Sequence, residues 1–368
     1  MKQLSIVVVG HVGHGKSTLI DRLLCREGDN TIDVPQTFLS HEGREYVFID
    51  ASDNVEFIKN RITGESQADA AILVVDVMEG IQEQTRRHAY LLSFLNIPSI
   101  IVAINKMDIC EDVDRYDIVE NEVGDLLFEK LEKPALSYIP ISALNGFNVI
   151  ERKDQWAGLS ILQEIECLPV PRSLAELPTR VSIQGLYRTK IDNERDSCYL
   201  ARVESGILCG NEYLHFTSGD AMCRGKVRNL DPPNAEAGAN CAFQLDIHGP
   251  AYDVKRGDVG FSPGATPWRS EKTIGSLFWL NDQPWEEEQV FTCKIAYQER
   301  DCTLTVLRCM DTNTLQPLST DEIGCNDAAT VILNFTERMV TEPFNYIPSL
   351  GRFALLSQGE IVACGTIK

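Results

Sequence analysis

The sequence lacks the long apolar runs of membrane-spanning proteins and the positive charge of broadly nucleic-acid-binding ones. No apolar run approaches the roughly eighteen residues that a membrane-spanning helix needs. The chain has 34 Lys and Arg residues against 54 Asp and Glu residues, a net charge of −20. This excess argues against a broad basic face for nucleic acid. Because Met1-Lys2-Gln3 runs straight into an apolar segment, we expect no signal peptide, a cytoplasmic location and no membrane partner.

The sequence also lacks closely paired cysteines, although it contains 12 cysteines in all. They are scattered from Cys25 to Cys364, and none of them forms a C-x-x-C pair. In a protein expected in the cytoplasm, isolated cysteines are typical of reduced thiols. The sequence therefore predicts neither a disulfide framework nor a zinc site.

The first half of the chain has the pattern of an α/β domain. Up to about residue 168, strand-like apolar runs alternate with helical periodicity, which is typical of a mostly parallel sheet. We predict strands at residues 4–9, 46–49, 70–75, 100–104 and 138–141, helices at 55–63, 84–95 and 116–131, and an edge hairpin formed by residues 31–39 and 44–50.

The second half of the chain has a different character. Pro169, Pro171 and Pro178 mark a stiff linker, and beyond it short strands and turn clusters follow one another at spacings typical of β-barrels. A second break falls near residues 263–267. Since 368 residues exceed one ordinary core, we predict an α/β domain at residues 1–170 followed by two all-β barrels at 177–268 and 270–368.

One segment of the α/β domain has the spacing of a phosphate-binding loop, or P-loop. It reads Gly10-His11-Val12-Gly13-His14-Gly15-Lys16-Ser17-Thr18 and lies between a predicted strand and a helical pattern. Gly10 and Gly15 allow the backbone to turn its N–H groups toward phosphate oxygens. Lys16 would reach the outer phosphates, and the Ser17 hydroxyl would bind Mg²⁺. We predict that residues 11–18 bind a nucleotide.

Two later motifs select the base of that nucleotide. Asn105-Lys106-Met107-Asp108 follows the strand at 100–104, and the Asp108 carboxylate can accept hydrogen bonds from the N1–H and N2–H₂ groups of guanine. Adenine offers no matching pair of donors, so a charge would be left unpaired against it. Ser142-Ala143-Leu144 follows the strand at 138–141 and supplies a backbone N–H for guanine O6. We therefore predict that Asn105, Lys106, Asp108 and residues 142–144 recognise guanine.

With these motifs the chain resembles the translation-factor-type GTPases, in which a GTP-binding domain is followed by two β-barrels. The resemblance runs from residue 4 to the C-terminus. It implies GTP and GDP as ligands and Mg²⁺ as the metal. It makes Lys16 a candidate catalytic residue, and Asn54 another, in the position of the family's water-orienting histidine. It also implies that Asp50 holds Mg²⁺ through a water molecule and that Thr31 takes the place of the family's metal-binding threonine.

Four departures from the family pattern fall on the γ-phosphate side of this site. Gly13 replaces an aspartate, Asp53 replaces a glycine next to the γ-phosphate, and Asn54 cannot carry a proton as histidine does. The first switch is also short. A helix over residues 17–27 would carry the chain about 15 Å from the metal, and the return to Thr31 spans at most about 14 Å. We therefore expect Thr31 not to reach the metal and GTP hydrolysis to be slow.

The resemblance leaves two branches of the family, and a third alternative, open. Gln84-Thr85-Arg86-Arg87-His88 and the segments 158–162 and 311–315 are similar to the GTPase subunit of sulfate adenylyltransferase, which couples GTP hydrolysis to adenylyl sulfate synthesis beside a small catalytic subunit. The acidic charge also favours this branch, because tRNA binding benefits from basic surface. The second branch is an elongation factor that delivers aminoacyl-tRNA to the ribosome. The third alternative is a non-cycling pseudo-GTPase.

Overall fold

A computed structural model describes most of the chain, namely residues 3–24, 36–50, 68–112, 114–153, 157–169, 173–191, 194–218, 221–248, 253–320 and 323–368. The chain divides into two compact units. The first unit comprises Met1–Pro171 and Asp311–Gln316, and the second comprises Arg172–Met310 and Pro317–Lys368. Within the described residues, no helix combines the length and apolar character that crossing a membrane requires.

The first unit is built on a six-stranded sheet with the strand order β2-β3-β1-β4-β5-β6. All neighbouring strands are parallel except β2 and β3, which form an antiparallel hairpin at the edge. The strands are β1 (Gln3–Gly10), β2 (Gln36–His41), β3 (Arg44–Asp50), β4 (Ala70–Asp76), β5 (Ser99–Asn105) and β6 (Ser137–Pro140). The described helices are α1 (Lys16–Leu23), α2 (Glu83–Phe94), α3 (Arg115–Asp125), a π-helical turn at Leu126–Lys130, and α4 (Ile161–Glu166). This arrangement confirms the predicted α/β domain with a mostly parallel sheet.

Apolar runs explain why these strands occupy the middle of the sheet. Every residue of β4 is buried, as expected for a parallel strand covered on both faces. The edge hairpin differs from its prediction: β2 runs to His41, so the turn is only Glu42-Gly43, both with positive φ, and residues 31–35 of the predicted first strand lie outside the described residues. The predicted helix at 116–131 ends in the π-helical turn, and the one predicted at 55–63 lies outside the described residues.

The first barrel of the second unit is a closed, six-stranded antiparallel sheet in the order β10-β11-β13-β8-β7-β14. Its strands are β7 (Arg180–Ile191), β8 (Glu194–Ser205), β10 (Tyr213–Ser218), β11 (Ala221–Asp231), β13 (Asn240–His248) and β14 (Val259–Phe261), with a side pair of β9 (Ile207–Cys209) and β12 (Asn234–Glu236). A short 3₁₀ helix, Leu174–Glu176, precedes β7. Phe216, Phe243 and Phe261 are fully buried inside this barrel.

The second barrel closes through the pairing of β16 with β17. Its strands are β15 (Trp268–Trp279), β16 (Phe291–Ile295), β17 (Gln298–Asp311), β18 (Pro317–Leu318), β19 (Asp327–Thr341), β20 (Arg352–Ser357) and β21 (Glu360–Ile367), and the short helix α5 (Pro348–Gly351) precedes β20. The two predicted barrels are therefore confirmed. Their predicted boundaries at 177–268 and 270–368 stay predictions, because the second unit contains both barrels.

A buried ion pair and free thiols complete the second unit. The Arg180 guanidinium donates to the Glu342 carboxylate over 3.0 Å, and both side chains are about 4% exposed. Burial raises the pKa of Glu342, and Arg180 opposes that rise. The cysteines among the described residues are free thiols.

Candidate functional site

The P-loop joins β1 to α1 at the carboxyl edge of the sheet. Gly10, Gly13 and Gly15 have φ values of +148°, +80° and +93°. A Cβ atom on Gly10 would lie 2.3 Å from the carbonyl oxygen of Val74, and one on Gly15 would lie 2.3 Å from Nδ2 of Asn105. Positions 10 and 15 therefore accept only glycine, as the loop pattern predicts. Gly13 is different, since a Cβ there would meet nothing within 4 Å.

The loop leaves backbone N–H groups available at the start of α1. Gly15 is the N-cap residue in a left-handed conformation, and no side-chain hydrogen bond caps this helix end. The first N–H groups of a helix have no partner within it, so those of Lys16, Ser17 and Thr18 can bind an anion. Such a cradle of N–H groups at a glycine-lined turn fits a phosphate chain.

Lys16 lies inside the curve of the loop. Its Nζ donates to the carbonyl oxygens of Gly10 over 2.9 Å and His11 over 3.0 Å. Burial lowers the pKa of Lys16, and the nearby charge of Asp50 opposes this. Outside the loop, the Val12 N–H donates to the side chain of Gln84 in α2 over 3.2 Å. The ammonium group is thus aimed into the space that the loop encircles.

His14 is a fully buried brace between the P-loop and the end of β4. Its Nδ1 accepts the N–H of Asp76 over 3.2 Å and also lies 3.4 Å from the Val74 carbonyl oxygen, and its Nε2 lies 3.3 Å from the Glu79 carboxylate. Burial lowers the pKa of His14, so the ring stays neutral. The ring of His11 contacts it edge to face, with centroids 5.2 Å apart. His14 therefore links the P-loop to the end of β4, and His11 packs against His14.

Asn105 connects the P-loop with both guanine motifs. Its side-chain Nδ2 donates to the His14 carbonyl oxygen over 2.8 Å, and its Oδ1 accepts the Ala143 N–H over 2.9 Å. The Met107 N–H donates to the Ile141 carbonyl oxygen over 3.1 Å. The loop after β5 and the loop after β6 are consequently held side by side, next to the P-loop.

The remaining predicted base-recognition residues lie along these two loops. Lys106 is half-buried, Asp108 is exposed, Ser142 and Ala143 are buried, and Leu144 is 66% exposed. The guanidinium of Arg22 in α1 donates to the carbonyl oxygens of Ala143 and Leu144. Arg22 therefore ties the loop at 142–144 to α1, and Asp108 lies on the exposed part of the loop after β5.

The candidate metal ligands are described only in part. The Ser17 hydroxyl donates to the Asp50 carboxylate over 3.1 Å, so the two predicted Mg²⁺ positions lie next to each other. Thr31, Asp53 and Asn54 lie outside the described residues. Within the part of the chain that the structure describes, no group of three His, Cys, Asp or Glu side chains could hold a metal ion. A hydroxyl beside a carboxylate fits the oxygen preference of Mg²⁺ completed by phosphate oxygens and water.

Sequence reasoning missed three residues of this site. Arg22 and Gln84 brace it from helices α1 and α2. Asp76 ends an otherwise apolar strand with a buried carboxylate, and this was a signal that the sequence did offer. A charged residue at the carboxyl end of a buried strand indicates a nearby group of opposite charge, because an unpaired buried charge is strongly unfavourable.

Comparison with known proteins identifies related chains for nearly the whole length. Residues 25–177 match a family described as the elongation factor Tu GTP binding domain, and residues 273–368 match one described as GTP-eEF1A C-terminal domain-like. Elongation factor 1-alpha of Methanopyrus kandleri is 32% identical over 415 residues, covering 99% of this chain and 97% of the relative. The elongation factor 1-alpha proteins of Methanosphaera stadtmanae and Thermococcus celer are each 31% identical over 404 and 419 residues. Those alignments cover 98% and 99% of this chain and 96% and 97% of the relatives.

Proposed function

Because the chain belongs to the translation-factor GTPase superfamily, we propose that it is a guanine-nucleotide-dependent factor of the elongation factor 1-alpha type, with aminoacyl-tRNA and the ribosome as partners. The observation that carries the nucleotide part is the double hydrogen bond of Asn105, which joins the P-loop to the loop after β6. Relatives that match almost end to end support the elongation-factor part.

GTP and GDP would bind with their phosphates in the P-loop. The N–H groups at the start of α1 and the buried Lys16 ammonium would neutralise phosphate charge. Mg²⁺, when bound, would offset further charge on the outer phosphates, with Ser17 as a direct ligand and Asp50 holding it through water. Asp108 would accept hydrogen bonds from guanine, and the loop at 142–144 would donate to its O6.

GTP hydrolysis would be slow in the isolated protein. Asn54 stands where the family places a water-orienting histidine, and an amide cannot take up a proton in the transition state. Asp53 would bring a second negative charge near the γ-phosphate, which disfavours binding and cleavage unless a cation intervenes. Lys16 remains the candidate catalytic residue that stabilises transferred charge. Thr31 is still expected not to reach the Mg²⁺ ion.

The two branches that the sequence leaves open are not equally supported. The relatives reported above carry the name elongation factor 1-alpha, which favours the second branch over the sulfate adenylyltransferase subunit and its small catalytic partner. The net charge of −20 is the feature that an elongation factor has to accommodate, since tRNA phosphates would meet a mostly acidic surface. We expect tRNA binding to depend on local basic side chains and to weaken steeply with added salt.

Nucleotide titration tests this proposal directly. Calorimetry should show binding of GDP and GTP but not of ATP. Asp108→Asn should lower GDP affinity about 100-fold and raise affinity for XDP, because an amide can donate to the O2 that xanthine carries in place of the guanine amino group. Binding of ATP as tight as that of GDP would refute the scheme. For the carrier role, the GTP-bound protein should protect aminoacyl-tRNA from hydrolysis, and the lack of protection would exclude it.

A further inference from the structure

The buried carboxylate of Asp76 forms an ion pair with the half-buried Lys106 of the guanine motif. Asp76 is the last residue of β4 and is 2% exposed, and Lys106 follows β5, the next strand of the sheet. The Lys106 Nζ lies 2.5 Å from Asp76 Oδ2. The Met78 N–H also donates to this carboxylate, over 2.8 Å. The two strands pair in register at Asp76 and Asn105, so the contact follows from the sheet itself.

Lys106 combines an unusual backbone conformation with a side chain that the ion pair restricts. Lys106 has a φ of +67°, a left-handed conformation that favours glycine, and it lies two residues before Asp108. A lysine side chain has four rotatable bonds and loses rotamer freedom when it is held in one place. With Asp76 as its partner, that freedom is lost before any nucleotide arrives, so binding does not have to remove it.

Asp76 also contacts the P-loop. Its backbone N–H donates to the ring of His14 over 3.2 Å, so one residue touches the phosphate side and the base side of the site. The loop that follows is fixed by Arg115 of α3, which donates to the carbonyl oxygens of Val77 and Met78 over 2.9 and 3.1 Å. Hydrogen bonds therefore hold the backbone at Asp76 and in the loop that follows it.

We propose that Asp76 is a positioning residue for guanine nucleotide binding, which acts by holding Lys106 in place beside the base. This inference rests on the proposed function, because it assigns a role within the same nucleotide site. If Lys106 moved away, the buried Asp76 carboxylate would lose its opposite charge, which makes other positions of the Lys106 side chain unfavourable. Burial tends to raise the pKa of Asp76, but the hydrogen bond and charge of Lys106 and the Met78 N–H lower it overall, so the group stays ionised.

The test is a double-mutant cycle on mant-GDP binding by the full chain. Asp76→Asn keeps the size of the side chain and can still accept the Met78 N–H, but it removes the charge that holds Lys106. We expect the mant-GDP dissociation rate to rise about tenfold with little change in the association rate. In the Lys106→Met background, the same substitution should change the dissociation rate less than about twofold.

Two controls separate positioning from a loss of folding. Asp69→Asn changes a carboxylate beside the opposite end of β4, where Asp69 accepts the Ser5 N–H over 2.8 Å, and it should leave both rates unchanged. Lys106→Arg keeps a cation for Asp76. In that background Asp76→Asn should still raise the dissociation rate. If Lys106→Met does not fold, Lys106→Gln, which also lacks the positive charge, takes its place in the cycle, and Asp76→Asn should again change the dissociation rate less than about twofold.

The outcomes distinguish this inference from the function on which it rests. Failure of the wild type to bind mant-GDP would overturn both. Normal wild-type binding with unchanged rates in Asp76→Asn would overturn the positioning role alone. An equal effect of Asp76→Asn in the wild-type and Lys106→Met backgrounds would also overturn it, because Asp76 would then act without Lys106.

Discussion

Replacing Gly15 with alanine would place a methyl group where the Asn105 amide now lies. Gly15 has a φ of +93°, and its added Cβ would stand 2.3 Å from Asn105 Nδ2. The left-handed backbone conformation costs an L-residue about 1–2 kcal/mol. Displacing the buried Nδ2 from its hydrogen bond with the His14 carbonyl oxygen adds about 1–3 kcal/mol. We therefore expect Gly15→Ala to destabilise the first unit by about 2–5 kcal/mol.

Gly13 of the same loop provides a matched control. Its φ of +80° imposes a similar backbone strain, but a Cβ there meets no atom within 4 Å. Gly13→Ala should therefore cost only about 1–2 kcal/mol. The difference between the two variants, about 1–3 kcal/mol, isolates the contact with Asn105 from the strain of the loop.

The assay is urea unfolding without nucleotide. It is monitored by amide hydrogen exchange in β1 and β5, so that it reports on the first unit alone. With a urea slope of about 1–3 kcal/mol per molar, the midpoint for Gly15→Ala should lie about 1 M below that for Gly13→Ala. GDP affinity should fall in the same order. Equal midpoints, or a lower midpoint for Gly13→Ala, would refute the reasoning, because the Asn105 contact would then carry no free energy.

Two further predictions concern residue 54 and a buried histidine. Asn54→His should raise the single-turnover rate of GTP cleavage by about tenfold or more, since imidazole can take up a proton as it orients water, and equal rates would contradict the role given to this position. Burial, followed by the charge of Lys16, lowers the pKa of His88 from 6.5 in the unfolded chain to about 3 in the folded state. Between those values only the unfolded chain binds the proton, so stability falls as the pH drops below about 6.5, by about 2 kcal/mol at pH 5. The free energy of unfolding of His88→Gln, measured by urea titration, should fall about 2 kcal/mol less than that of the wild type between pH 7 and pH 5. An equal fall in the two proteins would exclude this titration.

The parts of the fold that the sequence predicts are those set by local pattern. The run at 70–75 is apolar at every position, and β4 is buried at every position, because a central parallel strand is covered on both faces. The barrels were predicted only as a class. Their closure depends on pairings such as Gly275 with Val331 and Gly275 with Ile367, which bring together residues far apart in the chain. No local spacing encodes such partners, so strand order could not be predicted.

The candidate site likewise contains one residue that local spacing predicts and one that depends on the strand order. Asn105 was predictable because its position is fixed by spacing to Asp108, and the structure adds the chemical reason for the residue type. Its amide donates to one loop and accepts from another, whereas an aspartate could only accept. Asp76 was not predictable in this way, because its partner is chosen by which strand lies next to β4. A charged residue at the end of a buried strand is thus a reason to look at the neighbouring strand end. Here that search leads from an apolar run to the lysine of the guanine motif.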